Sequence, residues 1–310
     1  MPASRQRLTV VYNPTKVDDL DQVKSVLAKA CARHSWDEPT WVATTEDETG
    51  QRQASEAVRA GADCVASLGG DGTVRAVASA LVGTDVALGL LPGGTGNLLA
   101  RNLGLPVDAL DEAADAMLGG SERRIDVGRL VADDDPEEVF VVMAGIGLDG
   151  EIMAGTNEEI KGVLGWPAYV LSAAQNLTRR GFSLTVESSG GEGVAGAPGD
   201  TVQRQARSVI VGNCGTLQGG IELMPDAELD DGLLDAVVLA PRGVFGWVSV
   251  MADIATRHRS GHRRLDRLRF RELAITADRP VQAEIDGDPI GERSRLRVRI
   301  EPAAVVVRCG

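Results

Sequence analysis

Two glycine-rich loops stand where strand-like runs end. Gly69-Gly70-Asp71-Gly72-Thr73 closes CVASLG (Cys64–Gly69), and Pro92-Gly93-Gly94-Thr95-Gly96-Asn97 closes VALGLLP (Val86–Pro92). In open α/β sheets, ligands bind outside the carboxyl ends of the strands. Glycine lets the main chain approach a polyphosphate, and a helix that follows aims its first N–H groups at it. Neither loop is a Walker loop, because no Lys follows and the chain holds only Lys16, Lys24, Lys29 and Lys161. An acid inside such a loop repels phosphate unless a cation lies between them, so Asp71 points to Mg²⁺. One pentad of this kind is equally a turn whose Asp and Thr cap a helix. Two loops delivered to one sheet edge read as a phosphate cradle that offers the Thr73 and Thr95 hydroxyls. Asn13-Pro14-Thr15-Lys16, ending the first strand-like run, joins the same edge.

A second constellation lies near the C-terminus, in Glu284-Ile285-Asp286-Gly287-Asp288. An alcohol nucleophile needs a carboxylate to accept its proton, and Asp286 and Asp288 could serve. Asp-Gly between apolar runs is also a strong hairpin signal. Gly145-Ile146-Gly147-Leu148-Asp149-Gly150 matches a dinucleotide fingerprint, yet no βαβ unit follows it. It reads as a tight turn between a strand and a helix, with Asp149 and Glu151 close to the cleft.

The elements that must position these groups change character along the chain. Strand-like runs at Leu8–Asn13, Thr40–Thr45, Cys64–Gly69 and Val86–Pro92 alternate with helical patterns at 18–33, 51–60, 74–81 and from Asn97 onward. That rhythm predicts a doubly wound α/β domain over residues 1–126, with a parallel sheet. From 127 to 310 the runs IDVGRLVA, VFVVMAGIG, FSLTVESS, ARSVIVGNC, LLDAVVLA, LRFRELAITA, VQAEIDGD, RLRVRIEP and AVVVRC are strand-like. Helical patterns interrupt them at 162–177 and 244–258 only, so a mainly-β, sandwich-like second domain is expected, whose last strand packs back near the cleft. The helix over 162–177 reads as packing on that sheet or as one wall of an acyl-chain pocket. The Gly-rich stretch 190–199 reads as a hairpin loop.

Composition narrows the partners. The 310 residues include 45 acids and 32 bases, a net charge of −13, with 3% aromatics. This argues against nucleic acid, which requires a basic footprint and stacking platforms. One segment departs from the trend: 257–271 holds seven Arg and one acid, +6, leaving the remainder at −19. It reads either as a solvated charge run or as a docking segment for an anionic membrane. The longest uncharged stretch, between Lys161 and Arg179, is too short and polar to span a bilayer, and no signal peptide is visible. Four scattered Cys suit reduced thiols in a cytoplasmic protein, and three His leave little for a zinc site or a His triad.

The ordered set NPT (Asn13–Thr15), GGDGT (Gly69–Thr73), PGGTGNLLAR (Pro92–Arg101), AGIGLDGE (Ala144–Glu151), ELDDGLLD (Glu228–Asp235) and EIDGD (Glu284–Asp288) resembles the diacylglycerol kinase catalytic family. That family includes soluble bacterial lipid kinases and the sphingosine and ceramide kinases. The resemblance spans nearly the whole chain and implies ATP-dependent phosphorylation of a lipid hydroxyl, with diacylglycerol converted to phosphatidic acid. It puts Asp71 on the phosphate and Mg²⁺ side. It places Gly69, Gly70, Gly72, Thr73, Gly94 and Thr95 along the nucleotide phosphates, with Asn13 and Thr45 as neighbours. It makes Asp288 the proton acceptor where the family usually has Glu; with the carboxylate one methylene shorter, either it reaches through a shifted loop or a water, or Asp286 carries more of the task. It also implies a structural Mg²⁺ on Asp231 and the carbonyls of Glu228 and Leu233. Lys16-Val17 departs from the Ser-Gly that ends the first loop in many members. The expected protein is cytoplasmic, visits membranes transiently, and could form a homodimer. The alternatives are another lipid kinase (sphingoid or ceramide), an NAD kinase-like phosphotransferase, or a catalytically silent lipid-binding module.

Overall fold

The structure is a computed structural model that describes residues 5–94, 96–147, 181–190, 201–216, 222–241 and 265–310. Contacts divide the chain into two compact units, Met1–Asp126 with Ala303–Gly310, and Val127–Pro302. The helices expected at 162–177 and 244–258, and most of the loop at 190–199, lie outside the described residues.

In the first unit, β1 (Leu8–Tyr12), α1 (Leu20–His34), β2 (Thr40–Ala43), α2 (Gln51–Arg59), β3 (Cys64–Gly69), α3 (Asp71–Leu81) and β4 (Ala87–Pro92) alternate strictly. The short α4 (Leu98–Asn102) and α5 (Leu110–Gly119) follow. The strands are parallel in the order β2-β1-β3-β4, as the alternation requires. β3 is buried along its whole length, the mark of a strand covered on both faces. One core joins Leu8, Val10 and Leu68 of the sheet to Leu27 and Cys31 of α1 and Met117 and Leu118 of α5. α1 begins where the Asp19 side chain accepts the Gln22 N–H at 2.9 Å, and stops at Ser35 in the left-handed region, φ 61°. α3 starts three residues earlier than its apolar periodicity suggests. The Gly70 carbonyl accepts the Thr73 and Val74 N–H groups, so the first turn closes on main chain alone.

The end of the last strand, β14 (Asp288–Cys309), returns to this sheet, with Val307 beside Leu88 in parallel. Its Arg308 is 9% exposed. The guanidinium donates to the Met117 and Leu118 carbonyls at 2.8 and 3.1 Å and to Glu122 at 3.1 Å. It also lies 5.6 Å from the centre of the Trp36 ring. A cation on the last carbonyls of α5 opposes the helix dipole and satisfies acceptors the helix leaves unpaired. Burial holds the Cys31 thiol up at about 11 and the Cys64 thiol at about 12, so neither is a thiolate at neutral pH.

In the second unit β10 (Ser208–Gly212), β7 (Met143–Gly147) and β13 (Glu272–Ile285) run antiparallel with β11 (Leu234–Leu239), β12 (Leu265–Phe270) and β14, in the order β12-β11-β10-β7-β13-β14. β8 (Phe182–Ser189) pairs with the first half of β13, and β9 (Thr201–Ala206) with β8. β13 breaks register between Thr276 and Val281, so its halves serve different neighbours, β8 and then β7. Phe140, Ile146, Phe182, Phe270, Ile275 and Leu296 lie at the centre of the core. β5 (Ser121–Ala132) pairs with β14 and with β6 (Glu138–Phe140).

Two expected runs divide differently. VFVVMAGIG is two strands, β6 and β7, interrupted at Val141 and Val142, whose amides turn away from any ladder. Gly145 and Gly147, expected in a turn, are both strand residues of β7. Gly145 is paired with Ile210 on one side and Glu284 on the other. Replacing Arg308 with Ala removes the side-chain donor from the Met117 carbonyl, while the Leu118 carbonyl keeps the Trp36 indole N–H at 3.1 Å, and should lower unfolding free energy by about 1–3 kcal/mol. A denaturant midpoint shift at constant m-value measures it.

Candidate active site

The two glycine loops meet through their main chains. A Cβ built on Gly94 would stand 2.8 Å from the Gly70 Cα, and one on Gly93 2.6 Å from the Gly69 nitrogen. Only glycine permits that approach, and the contact follows from β3 and β4 being neighbours in register, Gly69 against Pro92. Asp71 at the start of α3 joins the loops a second time, its Oδ1 accepting the Leu98 N–H at 2.8 Å. Asn97, left-handed at φ 48°, donates from Nδ2 to the Gly94 carbonyl at 2.7 Å, and Arg101 donates to the Gly96 carbonyl at 3.0 Å. Each of these contacts shapes the second loop from inside the unit.

Gly70 is different. A Cβ there would meet nothing within 4 Å, and its φ of −82° is open to any residue. Internal packing therefore gives no reason for a glycine at this position. An approaching ligand would give one. Thr73 is buried in the first turn of α3, where a Cβ built on Gly69 would stand 2.6 Å from its hydroxyl oxygen. Gly72 lies in the same first turn of α3.

At the end of β1, Asn13 donates its N–H to the Leu68 carbonyl, and its Oδ1 accepts from the Thr15 N–H at 3.0 Å and the Thr15 hydroxyl at 2.8 Å. Asn13 thus builds an Asx turn at the carboxyl edge of the sheet, beside β3. Thr45, just beyond β2, is exposed, and its hydroxyl accepts the Glu48 N–H at 3.1 Å. The first unit therefore gathers Gly69, Gly70, Asp71, Gly72, Thr73 and Gly94 around one loop pair, with Asn13 at the neighbouring strand end. Thr95 lies outside the described residues.

The remaining predicted residues belong to the second unit. Asp286 and Gly287, at φ 48° and 85°, form the two-residue turn between β13 and β14, the hairpin that Asp-Gly favours. Asp286 is also 3% exposed, and its carboxylate accepts from Val141 N–H at 3.0 Å and from Val142 and Met143 N–H at 2.9 Å. Its own N–H donates to the Met143 carbonyl at 2.7 Å. Those are the amides that interrupt the expected VFVVMAGIG strand. Asp288, the first residue of β14, is exposed.

Asp231 accepts the Leu233 N–H at 2.9 Å through Oδ1 and pairs through Oδ2 with Arg269, whose Nε lies 3.7 Å from Asp235. Burial first, then Asp231 and Asp226, pushes the Asp235 carboxyl up to about 7, while Arg269 and Arg267 pull it down. A Mg²⁺ on Asp231 with the Glu228 and Leu233 carbonyls would share Asp231 with Arg269 and the Leu233 N–H, and each carboxylate oxygen keeps a further lone pair for it. Among the described residues no three His, Cys, Asp or Glu side chains gather as metal ligands. Neither Arg269 nor Asp235 stood out in the sequence. Asp235 was inside the ELDDGLLD motif, but its arginine arrives from β12 across a strand pairing that sequence spacing does not show.

Two glycine loops at the edge of a parallel sheet, followed along the chain by an antiparallel domain, define a two-domain protein with an α/β and a mainly-β part. Residues 7–130 match the family model for the diacylglycerol kinase catalytic domain. Residues 141–309 match the model described as the YegS C-terminal NAD kinase beta sandwich-like domain. The chain is 33% identical over 267 residues to "Probable lipid kinase YegS-like" of Pseudomonas aeruginosa PAO1, covering 85% of this chain and 82% of the relative. It is 30% identical over 274 residues to the protein of the same name from Stenotrophomonas maltophilia K279a, covering 84% of each. A solved diacylglycerol kinase from Bacillus anthracis shares the fold at TM-score 0.74 and 18% identity, over 98% of this chain and 97% of that one. A second structure from that organism superposes at TM-score 0.77 and 21% identity, over 100% and 98%. The chain belongs to the diacylglycerol kinase catalytic-domain family, among its YegS-like lipid kinases.

The two glycines separate structure from function. Gly94→Ala should destabilise the first unit, because main chain cannot yield at 2.8 Å. Gly70→Ala should leave the melting temperature within about 2 °C of wild type, the scale of a surface change. Thermal melts of both variants provide the check.

Proposed function

We propose that this kinase transfers the γ-phosphoryl group of MgATP to the free hydroxyl of diacylglycerol, yielding phosphatidic acid and ADP. The observation that carries phosphoryl transfer is the pair of glycine loops in main-chain contact, with Gly70 facing open space at the start of α3. Main-chain N–H groups at that helix start receive the phosphates, and the Thr73 side chain stands in the same first turn. The Mg²⁺ that accompanies ATP enters as part of the substrate. Asp71, which holds the second loop against the first through the Leu98 N–H, is the acid assigned to the phosphate and Mg²⁺ side.

The acceptor oxygen attacks the γ-phosphorus, the bond to the β,γ-bridging oxygen breaks, and the hydroxyl proton passes to a carboxylate. Asp288 takes that proton: it is exposed, whereas Asp286 is committed to three amides. Such a base contributes roughly 10²–10⁴-fold. Diacylglycerol as the acceptor is supported by the family model matched over residues 7–130.

Among the described residues no helix is long and apolar enough to cross a membrane. The lipid is then met at a membrane surface, from the cytoplasmic side, and the Arg-rich segment 257–271 is the proposed contact. Residues 257–264 of it lie outside the described residues.

The deciding experiment offers γ-labelled ATP with diacylglycerol, sphingoid base, ceramide, glycolipid and NAD in parallel. Label should enter phosphatidic acid, and Gly70→Ala should raise the KM for MgATP about 10-fold, about 1.4 kcal/mol of lost phosphate contact. Preferential labelling of another lipid replaces the substrate and keeps the kinase. Labelling of NAD alone moves the protein to the nucleotide-phosphorylating reading, and lipid binding without turnover to the silent module. Reversing charge at Arg263 and Arg264 together should weaken sedimentation with anionic vesicles at least 10-fold, since each basic residue contributes about 1 kcal/mol. Unchanged sedimentation excludes this segment as the contact.

A further inference from the structure

We infer that Asp286 is a positioning residue for phosphoryl transfer, holding the turn that carries Asp288, and is not itself the proton acceptor. The inference rests on Asp288 as the acceptor in the reading above.

The geometry of Asp286 exceeds what a hairpin turn needs. A two-residue Asp-Gly turn is satisfied by its backbone alone, with left-handed φ at both positions, here 48° and 85°. Asp286 is in addition 3% exposed and reaches across to a different strand. Oδ1 accepts two amides, Val142 and Met143 at 2.9 Å, and Oδ2 accepts Val141 at 3.0 Å. The Asp286 N–H completes a reciprocal pair with the Met143 carbonyl at 2.7 Å. The segment it grips is held on its other side as well. Asn213 donates its N–H to the Val142 carbonyl at 2.9 Å, and the Cys214 thiol donates to the Val141 carbonyl at 3.7 Å. The turn is thereby anchored to β7 and to the chain after β10, not merely to its own two strands.

Two residues further on stands Asp288, exposed and opposite Ile285 in the β13–β14 register. Its backbone position is set by Asp286 and Gly287, so the carboxylate that reaches substrate inherits its place from the one that does not. Asp288 is a methylene shorter than Glu and cannot recover a misplaced turn by changing rotamer. Asn at 286 keeps the size but replaces one oxygen with an N–H donor that faces an amide N–H, so at least one of the three contacts is lost. Misplacement of a reacting group by about 1 Å costs on the order of 10²-fold in rate.

The test is a double-mutant cycle on kcat per folded molecule, with lipid acceptor and MgATP saturating and the folded fraction read by circular dichroism. D286N should lower kcat about 10- to 100-fold with the KM for MgATP unchanged. D288N should lower it by roughly 10²–10⁴-fold. The double variant should be no slower than D288N alone, because Asp286 acts only through Asp288. Multiplying losses overturn the inference, since Asp286 then contributes on its own. Wild-type kcat per folded D286N molecule also overturns it, leaving Asp286 a purely structural group. Wild-type kcat in D288N overturns the acceptor reading and the inference together, whereas either of the two preceding results overturns the inference alone. Should D286N fail to fold, G287A moves the same turn without touching the carboxylate. Its kcat loss must likewise vanish in the D288N background, and additive losses or no loss overturn the proposal.

Discussion

Buried or half-buried carboxylates that accept main-chain N–H groups hold this chain together at the places where its elements end. Asp286 takes the Val141 and Val142 amides between β6 and β7 and the Met143 amide that opens β7. Asp71 takes the amide that opens α4, and Asp126, 1% exposed, takes the Ala303 amide at 2.7 Å. Asp133 accepts from Arg295 at 2.8 Å and from Ser294, and Asp231 from Leu233. An amide left unpaired in such surroundings costs about 1–3 kcal/mol, and an ionised acceptor bonds it more strongly than a neutral one. Each of these aspartates lets the backbone leave a ladder or a helix without that penalty.

This changes the meaning of the acidic composition. A net charge of −13 reads first as a poor match to nucleic acid and as a supply of carboxylates for Mg²⁺ and for a proton. In the folded chain many of those carboxylates serve the backbone, and others serve arginines. Arg129 binds Glu301, Arg299 binds Glu137, and Arg269 binds Asp231. The carboxylates left to act on a substrate are fewer than the count suggests. Asp288 is exposed at the start of a strand, whereas its neighbour two residues back is buried on three amides.

The cradle in the first unit depends on a complementary constraint, the absence of side chains. Gly93 and Gly94 are glycines because main chain of β3's loop lies against them, whereas a side chain on Gly70 would meet nothing within 4 Å. Parallel neighbours in register deliver both loops to one edge, and the Leu98–Asp71 bond keeps them there.

The alternation of apolar strands with amphipathic helices determined the first domain, because a buried parallel strand and its crossover helix each carry a period that one sequence displays. The glycine loops were legible for the same reason: their position after a strand is local information. The residue order around Asp286 showed a hairpin turn, and that turn exists. The grip on Val141, Val142 and Met143 could not be seen, since it joins residues 143 or more positions apart and splits a run that looks like one strand. Arg269 beside Asp231 was hidden likewise by a strand pairing. Nor does any local pattern say that the last strand lends Arg308 to the end of α5. Sequence determined which segments bury their apolar faces and which loops can approach a phosphate. Only the tertiary structure decided which carboxylates remain for chemistry, because that depends on which amides and guanidinium groups distant parts of the chain bring to them.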